Sequence, residues 1–482
     1  MRASGLRPAL RGRCGQDAGV PRGRTRPLTP RHFVATIGAF LLAVVPLTAQ
    51  PRADHVVLVS VDGFRPDFYV PGSDWPAPNV QQMARDGAHA EGVRGVFPTV
   101  TYPSHTTIVT GALPARHGIY YNRPFEPAGQ SGEWYWHESA IQVPTLWDAV
   151  RAAGRRTAAI SWPVTVGAPV DWLIPEVYSL DPDSDRLLPM REGSTPGLWQ
   201  ELEREATGRL NLRNYSAAYI TRDDTTGVIA AYVLETHRPT LLALHLITTD
   251  SAQHAHGRES DRARRAVAAA DRAIGAVRDA AERAGILERT AFVITGDHGF
   301  VDLHTQVMPN VWLAEAGLHG TEPDRGEWRA TFHPSGGATF LHLHDAADEE
   351  ALEAVRGILA DLPQTVRRLF RVVERDALAQ AGAAPGARLA LAGDLGVSFG
   401  ADASGDAIRP TDGGAHGFFP TDFPEILTGF VGWGAGFESG RTVHRMALTD
   451  VADLIAMLLD VDFESPDGAP PLGVLTPADP PR

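Results

Sequence analysis

A chain of 482 residues that is 43% apolar and 21% charged can form one large α/β domain with insertions, or two domains, and is neither a disordered segment nor a bundle of membrane helices. Its formal charge of −14, with no lysine at all, argues against a surface that grips nucleic acid and opposes anionic substrates unless bound cations invert the local field. The single cysteine, Cys14, leaves the rest of the chain without disulfides or thiol catalysis.

Residues 1–50 differ in character from the remainder of the chain. Eight arginines and one aspartate, together +7, precede the apolar run FVATIGAFLLAVVPLTAQ. A basic segment, an apolar core broken by Pro46 and small residues at Thr48 and Ala49 are the parts of a cleaved export signal. The run is short and proline-broken for a spanning helix. The expectation is therefore a signal peptide over 1–50, a periplasmic or secreted protein and no stable membrane anchor, with an uncleaved anchor as the alternative. Cleavage would change the net charge from −14 to −21.

From His55 onward strand-like and helix-like segments alternate, as in a parallel α/β sheet flanked by helices. His55–Val61 reads as a buried strand, Pro78–Gly87 as a helix, and Gly95–Thr99 as a short strand leading to a helix that carries Thr106–Thr110. Pro144–Gly154 is a helix with proline at its start and glycine at its end. Thr157–Ser161, Thr240–Ile247 and Thr290–Thr295 are further strands. Glu259–Gly285 has the apolar stripe of a long amphipathic helix. Ile426–Gly432 reads as a strand, Leu448–Leu459 as a closing helix, and the segment after Phe463 as extended. Two stretches interrupt the rhythm. Residues 165–235 read as loop-rich. Residues 303–412, with one helix at Ala347–Leu362, read as a cap subdomain inserted into a catalytic domain that spans 51–474, ahead of an extended tail at 475–482.

Three carboxylates come directly after apolar strand-like runs: Asp62 after VVLVSV, Asp250 after LLALHLIT, and Asp297 after AFVITG. An open α/β sheet gathers its functional groups at such strand ends. Asp250 and His254, four residues apart, can reach one ion from a single helical turn, and Asp297 with His298 can do so where the strand turns at Gly299. His416, in GGAHGFFP, is a further candidate. Mixed imidazole and carboxylate donors suit zinc, and two ions about 4 Å apart can bridge a phosphoryl group while lowering the pKa of a hydroxyl. Thr101 is the candidate nucleophile, at a helix start whose free N–H groups favour a developing anion. Thr99, Ser104, Thr106 and Thr107 are neighbouring hydroxyls of equal chemistry. Asn122 could donate its amide to a phosphoryl oxygen. His256 could replace His254 in a shifted register, and His105 reads as a bystander.

In order along the chain, VSVDGFRPDF, FPTVTYPSHTTIVTGALPARHGIYYN, the Asp250–His254 pair, TGDHGF and GGAHGFFP resemble the nucleotide pyrophosphatase/phosphodiesterase (type I phosphodiesterase) branch of the alkaline phosphatase superfamily. The resemblance spans roughly His55 to Val474 and is weak across 165–235 and 310–410. It implies an alkaline phosphatase-like fold and a hydrolase of phosphodiester or pyrophosphate bonds in nucleotides. It also implies two zinc ions, one on Asp250, His254 and His416, the other on Asp62, Asp297 and His298 with Thr101 bridging toward it. Thr101 would form the covalent phosphoryl-enzyme, and Tyr102 would stack on a nucleobase. The partner expected is a small phosphodiester or nucleotide; the oligomeric state has no signal. Three positions depart from the family pattern: Ser104–His105, Trp162–Thr165 and Thr248–Thr249. They lie on the substrate side, so a phosphomonoester or phosphonate hydrolase and a phospholipid-type phosphodiesterase stay open as alternatives. A sulfatase is excluded by the lack of its Cys or Ser motif, and export disfavours a phosphomutase. A non-catalytic binding homologue would have lost ligands or nucleophile first, and all seven positions are here.

Overall fold

The computed structural model describes residues 51–128, 132–320 and 328–477. The expected signal peptide and the end of the expected tail, 478–482, lie outside them. Eight strands form the central sheet: β1 (His55–Val61), β2 (Ala88–Ala90), β3 (Thr157–Ile160), β4 (Trp172–Ile174), β5 (Leu241–Leu246), β6 (Thr290–Thr295), β7 (Phe430–Gly434) and β8 (Arg441–Val443), in the order β8-β2-β7-β6-β1-β5-β3-β4. The run β6-β1-β5-β3-β4 is parallel throughout, and β7 alone runs antiparallel to both its neighbours. Parallel strands are covered on both faces, which is why VVLVSV and LLALHL read as continuous apolar runs. Val57, Val59 and Val61 point to one core, and Val56 and Leu58 to the other, the alternation a pleated strand imposes.

The helices that matter for the site are α1 (Thr101–Thr110), α2 (Thr221–His237), α3 (Thr248–His256), α4 (Asp261–Arg283) and α5 (Asp450–Leu459). Helix α4 supplies Val267, Ala270, Ile274 and Val277 to the first core, while α5 supplies Leu454, Ile455 and Leu458 to the second. Ser260 caps α4 by accepting from the Ala263 amide. The helix expected at Pro144–Gly154 is Leu146–Ala152, because Thr145 and Asp148 form a reciprocal cap that starts it one residue after Thr145.

Three readings need correction. Residues 165–235 are loop-rich only as far as Ile220, since α2, a helix of seventeen residues, begins at Thr221 and fills the end of the stretch. Its TTG step hides the helical pattern, yet Gly227 is there because α2 packs backbone-close on α4: a Cβ at 227 would stand 2.6 Å from Ala273 Cβ. Residues 303–412 hold far more regular structure than one helix. Ala330–Ser335, Ala338–Leu343, Leu389–Gly393 and Phe370–Glu374 pair as a four-stranded antiparallel sheet, with Glu349–Asp361 packed on it through Leu352, Val355 and Leu359. Gly95–Thr99 is no strand. The Thr99 carbonyl and hydroxyl accept from the Gly417 amide at 2.9 and 3.0 Å, and the hydroxyl donates to the Phe418 carbonyl. That backbone serves the loop carrying His416 instead of a ladder.

Candidate active site

The C-terminal ends of the parallel strands build the site. Asp62 directly follows β1, Ser161 follows β3, Glu176 lies just past β4, Asp250 sits on α3 immediately after β5, and Asp297 lies two residues beyond β6. Strand registry aligns these ends, with Val61 opposite Leu246 and Ser60 opposite Thr295. Two backbone amides fix the Asp297 carboxylate: Gly63 and His298 both donate to its Oδ1 at 3.0 Å.

Three histidines are oriented by the same device. The Nδ1 of His254 donates to the Gly414 carbonyl at 2.8 Å, that of His416 to Thr99 at 2.9 Å, and that of His298 to Gly299 at 3.1 Å. A carbonyl can only accept, so each Nδ1 carries the hydrogen, and each ring, when neutral, turns the Nε2 lone pair inward. There the His254 and His416 Nε2 atoms stand 3.1 Å apart, with Asp250 Oδ1 at 3.2 and 3.5 Å. Beside them His298 Nε2 lies 3.1 Å from Asp297 Oδ2 and 3.4 Å from Asp62 Oδ1. The His298 and His416 rings stack with centroids 3.5 Å apart. Asp62 Oδ1, Asp250 Oδ1, Asp297 Oδ2 and His298 Nε2 are buried with no hydrogen-bond donor.

Burying acceptors against acceptors is costly, and the titration behaviour records it. Burial, reinforced by Asp297 and Asp250, pushes Asp62 well above the usual carboxylate range, and burial lifts Asp297 to about 7. Burial and the neighbouring His254 lower His416 to about 4, and burial drives His298 down as well. Burial opposes the charged form of His254 too, but the Asp250 carboxylate outweighs it and holds His254 at about 9. Cations in the hollow would satisfy these atoms together. The residues fit two groups of three donors: Asp250, His254 and His416, and Asp62, Asp250 and His298. Asp250 thus stands within reach of both.

Thr101 is the first residue of α1, and the residue before it, Val100, offers no side-chain cap to that end. It lines a pocket of about 570 Å³ with Asp62, Asp250 and His245. The rival hydroxyls are occupied or sealed. Thr99 is bonded to the His416 loop, Thr106 and Thr107 donate to the Tyr102 and Ala112 carbonyls, and Ser104 is fully buried. Asn122 Oδ1 accepts from the Tyr102 amide at 2.9 Å, which fixes the plane of its side-chain amide. His256 is exposed on the far side of α3 and lines a different hollow.

Tyr102 is placed differently from what the stacking role implied by the resemblance calls for. It is fully buried, its hydroxyl reaches Glu176 at 3.3 Å, and Trp134 covers its ring at 5.1 Å. The aromatic surface facing the pocket belongs to Trp134, Tyr178, Tyr215 and Tyr219. His245 is the site residue that sequence reasoning missed. Its Nε2 bonds Asp62 Oδ2 at 3.0 Å and its Nδ1 bonds Glu176 Oε2 at 2.9 Å. The signal was present: a histidine is the lone polar side chain inside LLALHL, a cost no core strand carries without a partner. His105 is also nearer than a bystander, with Nδ1 2.8 Å from the Thr101 carbonyl and its ring 4.2 Å from that of His245.

The family model for type I phosphodiesterase/nucleotide pyrophosphatase matches residues 56–419. Human ectonucleotide pyrophosphatase/phosphodiesterase family member 7 is 24% identical over 444 residues, covering 88% of this chain and 84% of that protein. The structure of human ectonucleotide pyrophosphatase/phosphodiesterase 5 superposes with a TM-score of 0.61 at 19% identity, over 86% of this chain and 97% of that one. A murine counterpart, inactive through a threonine-to-alanine substitution and in complex with AMP, gives 0.60 at 18% over 87% and 97%. The shared architecture is the alkaline phosphatase-like α/β fold, as the sequence resemblance implied.

Proposed function

Because the chain belongs to the type I phosphodiesterase/nucleotide pyrophosphatase family of hydrolytic enzymes, we propose that it cleaves phosphodiester or pyrophosphate bonds in nucleotides through a covalent phosphothreonine at Thr101, beside two divalent ions. The observation that carries this reading is the convergence of buried acceptor atoms beside Thr101. Asp250, His254 and His416 would hold one ion, and Asp62, Asp297 and His298 the other, with Thr101 as a further ligand. Imidazole and carboxylate donors in this mixture suit zinc. When bound, such ions would neutralise the carboxylates, lower the pKa of the threonine hydroxyl and take up phosphoryl charge.

The chain's own groups supply the rest. Thr101 loses its proton, its Oγ bonds to phosphorus, and the bond from phosphorus to the leaving oxygen breaks. Water then cleaves the phosphothreonine ester, returning the hydroxyl and releasing a phosphomonoester. The N-terminus of α1 presents backbone N–H groups to the charge that develops on the phosphoryl oxygens. Asn122, its amide held by the Tyr102 N–H, donates to one of those oxygens. Trp134 and Tyr178 offer aromatic faces to a nucleoside. We further propose export, from the arginine-rich and then apolar character of residues 1–50, which fits a periplasmic or secreted enzyme.

The test is Thr101→Ala in zinc-loaded protein. Hydrolysis of a chromogenic phosphodiester is expected to fall by about 10³-fold or more while metal content stays at two per chain. Full activity in the variant would remove Thr101 from the nucleophile's role.

A further inference from the structure

The pocket that holds Thr101 at one end has an arginine at another, and among the described residues no carboxylate hydrogen-bonds that arginine. Arg222, in the first turn of α2, is 2% exposed and lines the same hollow as Asp62, Asp250 and Thr101. Its Nη2 donates to Ser161 Oγ at 2.7 Å, its Nη1 makes a long contact of 3.4 Å to the Tyr215 carbonyl, and its Nε is buried with no partner. The guanidinium lies over the Tyr215 ring, 3.4 Å from the centroid. Among the described residues no carboxylate forms an ion pair with it. Asp223, the next residue, is near enough to feel the Arg222 charge, but its oxygens are committed to the Ile247 amide and to the amide and hydroxyl of Thr248. Glu176, the other carboxylate on that wall, is taken by His245 and the Tyr102 hydroxyl.

A buried guanidinium without an anion is costly, and a cation at the N-terminal end of a helix meets a dipole of its own sign. An arginine serving only as a neutral tie between Ser161 and Tyr215 would bear both costs for two neutral hydrogen bonds. Arg186, exposed at the rim and stacked on Tyr178 at 4.5 Å, adds a second guanidinium to the pocket. Two forks facing one hollow suit a dianion held by paired N–H donors.

We propose that Arg222 receives a second phosphate of the substrate, carried on the organic group away from the scissile bond. The inference rests on the phosphodiesterase reading of the site, which puts the first phosphate at Thr101. The favoured substrates are then nucleotides with a further phosphate on the sugar, over those with a single phosphate.

The test separates the two readings. In the zinc-loaded Thr101→Ala protein, thymidine 3′,5′-bisphosphate is expected to bind at least about tenfold tighter than thymidine 5′-phosphate by calorimetry, the value of one charge-assisted hydrogen-bonded pair. Adding Arg222→Gln should erase that difference, and Arg222→Lys should keep part of it. Equal binding of the two ligands by the parent, or a difference that survives Arg222→Gln, overturns the assignment. So does an equal weakening of both ligands with a lowered melting temperature, the result a structural tie would give. Turnover of p-nitrophenyl thymidine 5′-phosphate by the unsubstituted enzyme judges the phosphodiesterase reading on its own. Its absence sinks that reading while the calorimetry still decides on Arg222.

Discussion

Gly336 sits in the hairpin between the inserted strands Ala330–Ser335 and Ala338–Leu343, far in sequence from His416 yet against its backbone. Its φ is +67°, and a methyl there would run into the His416 carbonyl oxygen. That carbonyl is held by the Gly337 amide at 2.8 Å, while the Gly336 carbonyl accepts from Phe399 and the Gly337 carbonyl from Gly393, both at 2.9 Å. The hairpin therefore cannot yield easily, and the His416 loop must. Restoring ordinary van der Waals separation requires a retreat of about 1 Å, whereas zinc–nitrogen bonds tolerate roughly 0.2 Å. Gly336→Ala should cost about 1–2 kcal/mol in stability from the left-handed backbone alone. It should also weaken one of the two metals by about 10–100-fold, the usual effect of disturbing a ligand's support. Chelator competition followed by metal analysis reads the second effect, and a thermal melt reads the first. Gly357→Ala is the control, because it sits in the helix Glu349–Asp361 with open space around the added methyl; it should leave metal affinity alone and stabilise slightly. If Gly336→Ala retains both metals with unchanged affinity, the inserted sheet does not position His416 and the reasoning is wrong.

Proton release should accompany metal binding. With Asp297 at about 7 and His254 at about 9 in the metal-free protein, and Asp62 raised by burial as well, a cation must displace protons at pH 7, so at least about 1.5 protons should leave and affinity should fall as the pH is lowered through that range. Calorimetry in buffers of different ionisation enthalpy measures this, and binding without proton release would contradict it. His245→Ala should weaken metal binding by about tenfold or more by stripping Asp62 Oδ2 of its donor, and His245→Gln, which keeps a donor, should recover part; equal loss in both would assign His245 a packing role only. Gly227→Ala should lower stability by about 1–3 kcal/mol through the clash of α2 with Ala273, seen as a lower melting temperature with metal content unchanged.

How much of the site is legible in the sequence depends on how each residue is held. Asp62, Asp250 and Asp297 stand where apolar runs stop, so strand patterning alone locates them, and parallel pairing does the gathering. His254 and Thr101 are each one of several equivalent neighbours, and only the fold separates them: His256 points off α3, and every hydroxyl around Thr101 is spent or sealed. Tyr102 misleads because an aromatic residue beside a nucleophile looks available, whereas Glu176 and Trp134 close over it. Helix α2 escapes detection because its aliphatic core residues, Ile229, Val233 and Leu234, all lie in its second half, while the first half buries Arg222, Asp223, Thr226 and Gly227 and shows no apolar stripe. The inserted sheet escapes for a related reason, since LALAG gives no alternation to read. Arg222 lies in that same illegible stretch, and nothing about an arginine in TRDD announces that it is buried without an acid.

The contrast between two buried arginines ties the charge pattern together. Arg65 is 1% exposed and meets two carboxylates, Asp67 at 2.6 Å and Glu259 at 2.9 Å, while also reaching Gln253 on the helix between Asp250 and His254. It is neutralised, and its work is to hold the Asp62 turn against α3. Arg222, equally buried, hydrogen-bonds only a hydroxyl and a carbonyl and lies over the Tyr215 ring, with no carboxylate bonded to it. A chain with 58 acidic residues against 44 arginines has no shortage of carboxylates to place beside it, as the many paired surface arginines attest. At the strand ends the imbalance runs the other way, where three carboxylates meet histidines but, among the described residues, no arginine. Both exceptions open into one pocket, and their signs are opposite. Acceptors without donors stand at the end where metal ions would carry the scissile phosphate, and a donor without an acceptor stands where the rest of the substrate lies. An acidic protein that must admit an anion would keep its uncompensated charge at those two places and neutralise it elsewhere.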